Sequence, residues 1–204
     1  MSSQKVRTLE LKFDVKDKDH LIWNDQVVMS SSETDYFEKL FSKLKETNIL
    51  SRDTLEIGFG LGISARLIQK ELSPNRHDII EIDKGIYSDL LEFSHKHPSI
   101  KPILGDWRSL ELSKKEYDFI FHDSYDYSGA EGWEFDSSRD DYEAFKSILK
   151  PGGYVCHPHF GDGPVKDVNG FETVILERLV VAPILMWDKT ICHDVAIVLR
   201  KPIR

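Results

Sequence analysis

Cysteine is scarce in this chain. Cys156 and Cys192 are the only two among 204 residues, too few for a disulfide scaffold and without zinc-site spacing. Basic charge is also short: 27 Lys and Arg stand against 35 Asp and Glu, a formal net charge of −8. That balance argues against a protein built to grip a phosphate backbone, which needs clustered Lys and Arg. It permits a small cationic ligand. No apolar run is long enough for a transmembrane helix, and residues 1–20 lack the apolar core of a signal peptide. The expected compartment is therefore the cytosol, without membrane attachment. No internal repeat or low-complexity tract occurs.

With 40% hydrophobic and 30% charged residues, the composition is that of a globular domain able to bury a core. Residues 8–15 alternate apolar and polar, with Leu9, Leu11, Phe13 and Val15 on one face, which predicts a strand. Residues 20–29 offer one or two short strands. Tyr36, Phe37, Leu40, Phe41 and Leu44 recur at helical spacing behind a start signal at Ser32 and Asp35.

From residue 54 the pattern is strand, turn and helix, repeated. Strands are expected over 54–58, 77–83, 101–104, 117–123 and 153–158, with helices over 63–72, 85–97 and 140–149. Residues 171–179 read as a helix, and 180–187 with 194–201 as late strands around a turn near Asp188. Apolar strands alternating with amphipathic helices predict an α/β fold, a mostly parallel sheet covered on both faces. Ligands bind such sheets beyond the carboxyl ends of the strands. The polar stretch 124–140 is long for a connection, as functional loops often are.

The segment Glu56-Ile57-Gly58-Phe59-Gly60-Leu61-Gly62 lies between a strand and a helix. Its G-x-G-x-G spacing differs from the dinucleotide G-x-G-x-x-G, which disfavours a nicotinamide dehydrogenase. An acid two positions before the first glycine suits a ligand with an ammonium group. Glu81, near the end of the second strand, can accept hydrogen bonds from ribose hydroxyls.

This combination resembles the class I S-adenosylmethionine-dependent methyltransferases, with Gly105-Asp106-Trp107 where that family surrounds the adenine and 149–153 leading into the fifth strand. The resemblance implies a Rossmann-like, seven-stranded sheet whose last strand is antiparallel, with residues 1–47 as an N-terminal cap and 48–204 as the methyltransferase unit. It also implies cofactor contacts from Glu56, Gly58, Gly60, Gly62, Glu81, Asp106 and Trp107.

Val28-Met29, Glu33-Thr34-Asp35-Tyr36, Gly58-Phe59-Gly60, Ile79-Ile80-Glu81, Trp107, Tyr117-Asp118 and Asp123-Ser124-Tyr125 narrow the likeness. Over about 20–157 the chain is similar to guanidinoacetate N-methyltransferase and the arginine δ-N-methyltransferases. In that family the acids matching Glu33 and Asp123 grip the guanidino group, and the methionine matching Met29 contacts the cofactor. Read without the family, Glu33 is an ordinary first-turn acid and Asp123 a turn cap.

The segment that holds the substrate's carboxylate in the family reads His157-Pro158-His159-Phe160-Gly161-Asp162 here, a departure. The expectation is N-methylation of a guanidino or similar cationic nitrogen on arginine, an arginine derivative or an arginine-containing peptide. Asp123 and Glu33 would be catalytic, with Tyr125, His157 and His159 beside the substrate. No metal is called for. Alternatives are an unrelated acceptor on the same fold, or a subunit that binds S-adenosylmethionine without catalysis. Trp23, Trp133 and Trp187 read as packing residues, with Trp133 free to stack on a cation. Cys156 and Cys192 read as buried thiols. Glu131, Glu134, Asp136, Asp140 and Asp141 read as a solvated acidic loop. The oligomeric state stays open.

Overall fold

The computed structural model describes residues 6–112, 116–131 and 141–203. Trp133, Glu134, Asp136 and Asp140 fall outside that range, as does the side chain of Asp141. Five apolar runs form the parallel part of the sheet: β4 (Asp53–Ile57), β5 (Arg76–Glu81), β6 (Ile100–Leu104), β7 (Tyr117–His122) and β8 (Leu149–Phe160). β10 (Ile191–Pro202) pairs antiparallel with β8, and β9 (Phe171–Leu185) pairs antiparallel with β10 at the edge. The seven strands lie in the order β6-β5-β4-β7-β8-β10-β9. Near-continuous burial of β5 and β7 matches strands covered on both faces.

Helices α2 (Ile63–Leu67), α3 (Lys84–Ser94) and α4 (Asp141–Ile148) follow β4, β5 and the loop after β7. α2 runs into a wide turn over Ile68–Leu72, where the amide of Ser73 reaches the carbonyl of Ile68 at 3.1 Å. Ahead of the sheet, β2 (His20–Trp23) and β3 (Gln26–Ser30) form a hairpin, with β1 (Val15–Lys16) beside β2. Asn24 and Asp25 turn it with φ of 51° and 62°, the two positive values a tight hairpin turn needs. α1 (Thr34–Glu46) buries Tyr36, Phe37, Leu40, Phe41 and Leu44 in the core shared with Phe119 and Phe121. Each such side chain contributes about 1.5–3 kcal/mol by leaving water.

Three expectations are corrected. Residues 8–15 are not one strand. Leu9 makes a single parallel bridge to Asp83, the amide of Leu11 bonds the Asp83 carboxylate at 2.7 Å, and pairing resumes only at the far end, where Asp14 N–H donates to Ile22 O and Val15 opens β1, so the segment between is an extended strap. Residues 171–179 are strand, not helix, and belong to the 15-residue β9. The start signal of α1 lies two residues earlier than expected. Ser30 caps a 3-10 turn over Ser31–Glu33, and the Glu33 carboxylate accepts from the Ser30 amide at 3.0 Å, which closes a capping box.

Candidate active site

The strand ladder continues one residue past the carboxyl ends of β4, β6 and β7. Gly58 N–H donates to Ile80 O (2.9 Å), Gly105 N–H to Glu81 O (2.8 Å) and Asp123 N–H to Ile57 O (3.0 Å). These bonds deliver Gly58, Gly105 and Asp123 side by side to one cavity of about 290 Å³. Met29, Glu33, Gly58, Gly60, Glu81, Asp106, Trp107, Asp123 and Tyr125 line it, from among the residues singled out in the sequence.

The glycine loop is tightly built. Gly58 has φ +93°, and a Cβ there would meet the Asp123 carbonyl oxygen at 2.2 Å. Gly60 has φ +54°, and its Cβ would meet Met29 Sδ at 2.3 Å. Met29 is thereby seated on the loop, its sulfur 3.1 Å from the Leu61 amide. Glu81 accepts from the amides of Phe59 (3.0 Å) and Asp83 (2.8 Å). Burial raises its pKa, while those amides oppose the rise. Asp106 caps the turn after β6 and pairs with Arg7 at 2.6 Å. Trp107 stacks on Phe145, with ring centroids 4.9 Å apart, and its buried indole N–H has no partner among the described residues. A buried donor left open in a cavity wall asks for an acceptor from a ligand.

The opposite wall is made by side chains from distant segments. Glu33 comes from the turn before α1 and Asp123 from the end of β7; Glu33 is buried and Asp123 half-buried. Neither has an ion-pair partner among the described residues. Burial pushes the Glu33 carboxyl up to about 8, and the Asp123 carboxylate adds to the rise. Burial likewise lifts Asp123 to about 7, with Glu56 contributing. Both shifts point the same way: two acids facing one cavity hold a proton near neutrality. Tyr125 donates from its hydroxyl to Gln26 Oε1 and packs near Tyr127, which meets Trp23 edge-on. The loop after β7 is thus fastened to the hairpin.

Four expected contacts lie elsewhere. Glu56 is fully buried but faces α2, accepting from Ser64 Oγ at 2.5 Å and lying 2.9 Å from His77 Nε2. It supports the glycine loop from behind instead of meeting a ligand. Gly62 starts α2 with φ +69°, its α-carbon packed under Phe59. His157 Nε2 is bonded to Arg200, outside the main cavity, and His159 Nε2 lies 3.3 Å from the Gly163 carbonyl.

The structure also brings in residues that the sequence did not mark. Ile184, Leu185, Met186 and Trp187, at and beyond the end of β9, line the cavity. Trp187 is 55% exposed at the rim rather than packed inside. The Leu185 amide donates to Ser32 Oγ (2.9 Å) and the Val27 amide to Trp187 O (3.1 Å). These bonds tie β9 to the capping box and the hairpin. An exposed tryptophan beside a chain turn was the available signal. Cys156 is buried, whereas Cys192 is only half-buried.

The described residues include no helix long and apolar enough to cross a membrane. The family model for guanidinoacetate N-methyltransferase matches residues 2–161. Malonyl-[acyl-carrier protein] O-methyltransferase from Calditerrivibrio nitroreducens is 32% identical over 133 residues, 62% of this chain and 46% of that protein. The chain thus spans less than half the length of that curated relative. The candidate methyltransferase yhhF from Escherichia coli superposes with a TM-score of 0.59 at 11% identity, over 89% of this chain and 95% of the other. TYW2 from M. jannaschii, solved in complex with AdoMet, gives 0.55 at 15% identity, over 93% and 90%. These structural likenesses establish a shared fold.

Proposed function

The chain belongs to the guanidinoacetate N-methyltransferase family, and on that premise we propose that it transfers a methyl group from S-adenosylmethionine to a nitrogen of a guanidino or similar cationic substrate. The observation that carries this reading is the pair of acids, buried Glu33 and half-buried Asp123, in one cavity without a cationic partner among the described residues. Buried carboxylates are costly unless paired. A planar guanidinium offers paired N–H donors that two carboxylates can accept. The departure at residues 157–162 supports a substrate other than guanidinoacetate.

The cofactor side fits the same reading. Gly58 and Gly60 let the main chain approach a ligand, Glu81 can accept from hydroxyls, and the open indole N–H of Trp107 faces a site with room for an acceptor. Met29, Asp106 and Trp107 would complete that wall. When bound, S-adenosylmethionine supplies an electrophilic methyl on a sulfonium. The chain's own task is to hold the acceptor nitrogen in line and take up the proton it must lose. Asp123 accepts that proton, its raised pKa keeping it a usable base near neutrality. Glu33, fixed through one oxygen by the capping box, orients the group with the other.

The test is methyl transfer from isotopically labelled donor, read by mass spectrometry on a panel of guanidino, amine, hydroxyl and carboxyl acceptors. Labelled guanidino product is expected. Methylation of an oxygen or carbon acceptor, with guanidino compounds inert, overturns the reading; the O-methyltransferase relative makes that arm worthwhile. Donor binding without transfer to any acceptor would favour a non-catalytic role.

A further inference from the structure

Charge is spread unevenly around the main cavity. Among the described residues its lining holds five acids, Glu33, Glu81, Asp106, Asp123 and Asp126, and one cation, Arg108. Arg108 follows β6, at one edge of the sheet, with its guanidinium 5.5 Å from the centre of the Trp107 ring. The opposite edge strand is β9, and its end brings Ile184, Leu185, Met186 and Trp187 to the same cavity. This apolar group lies on the Glu33 side, since the Leu185 amide donates to Ser32 Oγ at 2.9 Å. Phe160, at the end of β8, borders Asp123 in the cavity. It also meets Tyr36, three residues after Glu33, edge-on with ring centroids 5.5 Å apart.

The two acids therefore open onto an apolar face. A cation held by Glu33 and Asp123 must lay the rest of its molecule against that face. The polar side chains beside it are already engaged. The Tyr125 hydroxyl donates to Gln26, Ser124 Oγ lies 2.9 Å from His122 Nε2, and Ser32 Oγ accepts from Leu185. Lys189, in the turn past Trp187, is ion-paired with Asp25 of the hairpin. A carboxylate on the tail of the acceptor would leave water here with no cation to answer it. Methylenes or a ring would gain by the same move. Trp187, half in solvent, carries the apolar face out to the mouth.

We infer that the acceptor is a guanidine without a carboxylate, carried on an apolar alkyl or aryl body that lies against Phe160, Ile184, Met186 and Trp187. Those residues set specificity; Glu33 and Asp123 hold the cation. The inference rests on the guanidino reading above and narrows it, since it excludes guanidino acids such as guanidinoacetate and free arginine. Ile184, Met186 and Trp187 lie beyond residues 2–161, outside the family match.

The experiment measures initial rates at saturating donor on methyl-, propyl- and pentylguanidine, and on two chains of matched length with charged ends, 4-guanidinobutyrate and agmatine. The expected wild-type kcat/KM rises about threefold for each added methylene. Pentylguanidine should exceed each charged-end acceptor by about tenfold or more. Met186→Lys, which sets a cation in the apolar face, should shrink the ratio of pentylguanidine to 4-guanidinobutyrate by about tenfold, chiefly through the KM of the acid. Trp187→Ala should flatten the rise with chain length and shrink the same ratio by about threefold. A ratio taken within one preparation is insensitive to loss of folded protein. Should Met186→Lys fail to fold, Trp187→Ala, a change at an exposed rim, decides alone. Rates that are flat with chain length, a wild-type preference for 4-guanidinobutyrate, or ratios unchanged in both variants overturn the inference while leaving guanidino methylation standing. If a wild-type protein that binds donor methylates no guanidino compound at all, the guanidino reading falls and this inference with it.

Discussion

The two walls of the main cavity are made of different material. The wall proposed for the donor is chiefly main chain: Gly58 and Gly60, the end of β5 at Glu81, and the turn at Gly105–Trp107, all on neighbouring strand ends. The wall proposed for the acceptor is side chains drawn from Glu33, residues 123–127 and residues 184–187, and its last contributor lies beyond the family match. Main-chain geometry leaves little to vary. Charge and bulk at a rim can change one residue at a time. On the proposed reading, the donor would be fixed by how the sheet ends and the acceptor by which side chains are folded over it.

The largest expected effect tests that division directly. Asp123→Asn should lower kcat on the order of a thousandfold, as loss of a proton-accepting group does, while donor affinity by calorimetry stays within about threefold of wild type. A parallel collapse of donor affinity would break the comparison. Gly58→Ala should injure both walls at once, because its Cβ would strike the Asp123 carbonyl at 2.2 Å and its φ is +93°. We expect a loss of about 1–3 kcal/mol in stability from the strained backbone alone, weaker donor binding and slower turnover. A change in only one of the last two would place the seam elsewhere.

Glu33→Gln keeps the capping box, since glutamine serves at that position, and should raise KM about tenfold with a smaller effect on kcat. The same variant sharpens the electrostatic side. The Glu33 pKa is raised from 4.5 to about 8, so the folded chain holds a proton that the unfolded chain has lost. That contribution to stability is fully present below pH 4.5 and is lost as pH rises through 8. Asp123, raised from 3.8 to about 7, acts in the same direction. Without acceptor, the melting temperature should fall between pH 5.5 and 8.5, by about 2–4 °C for each kcal/mol. Glu33→Gln should flatten the fall, and a rise in melting temperature would refute the charge assignment. The smallest effect expected is on ionic strength: with a net charge of −8, kcat/KM for a cationic acceptor should drop about two- to threefold from 50 to 300 mM salt.

The glycine-loop wall of the cavity was legible in the sequence because its signals are local. Glycines at fixed spacing follow a buried run, and an acid lies near the end of the next one. Glu56 shows the limit: spacing placed it in the ligand's path, but the partners that turn it inward, Ser64 and His77, come from α2 and β5. β9 was misread for a definite reason. Phe171, Val174, Ile175 and Leu179 recur three and four apart, as on a helix. The pairing of β9 with β10 slips between Ile197 and Val198 and again between Cys192 and Asp194. Each bulge shifts the alternation of faces, so the period of two that marks a strand never runs long enough to be read. The strap at 8–15 failed the opposite way: its alternation is real, yet only its ends find sheet neighbours, Leu9 at Asp83 and Val15 at Ile22. Glu33 and Asp123 each had a bland local explanation, and only the fold brings them into one cavity.

The contact between Gly58 and Asp123 has a bearing on how such a protein could be retargeted. The Asp123 amide is bonded to Ile57 and its carbonyl rests on the Gly58 α-carbon, so no side chain can be slipped between them. The spacing from donor loop to base behaves as a fixed gauge that new substrates must accept. A library aimed at other acceptors would therefore leave residues 57–60 and 123 alone and diversify Val27, Val28 and Ile184–Trp187, which line the same cavity.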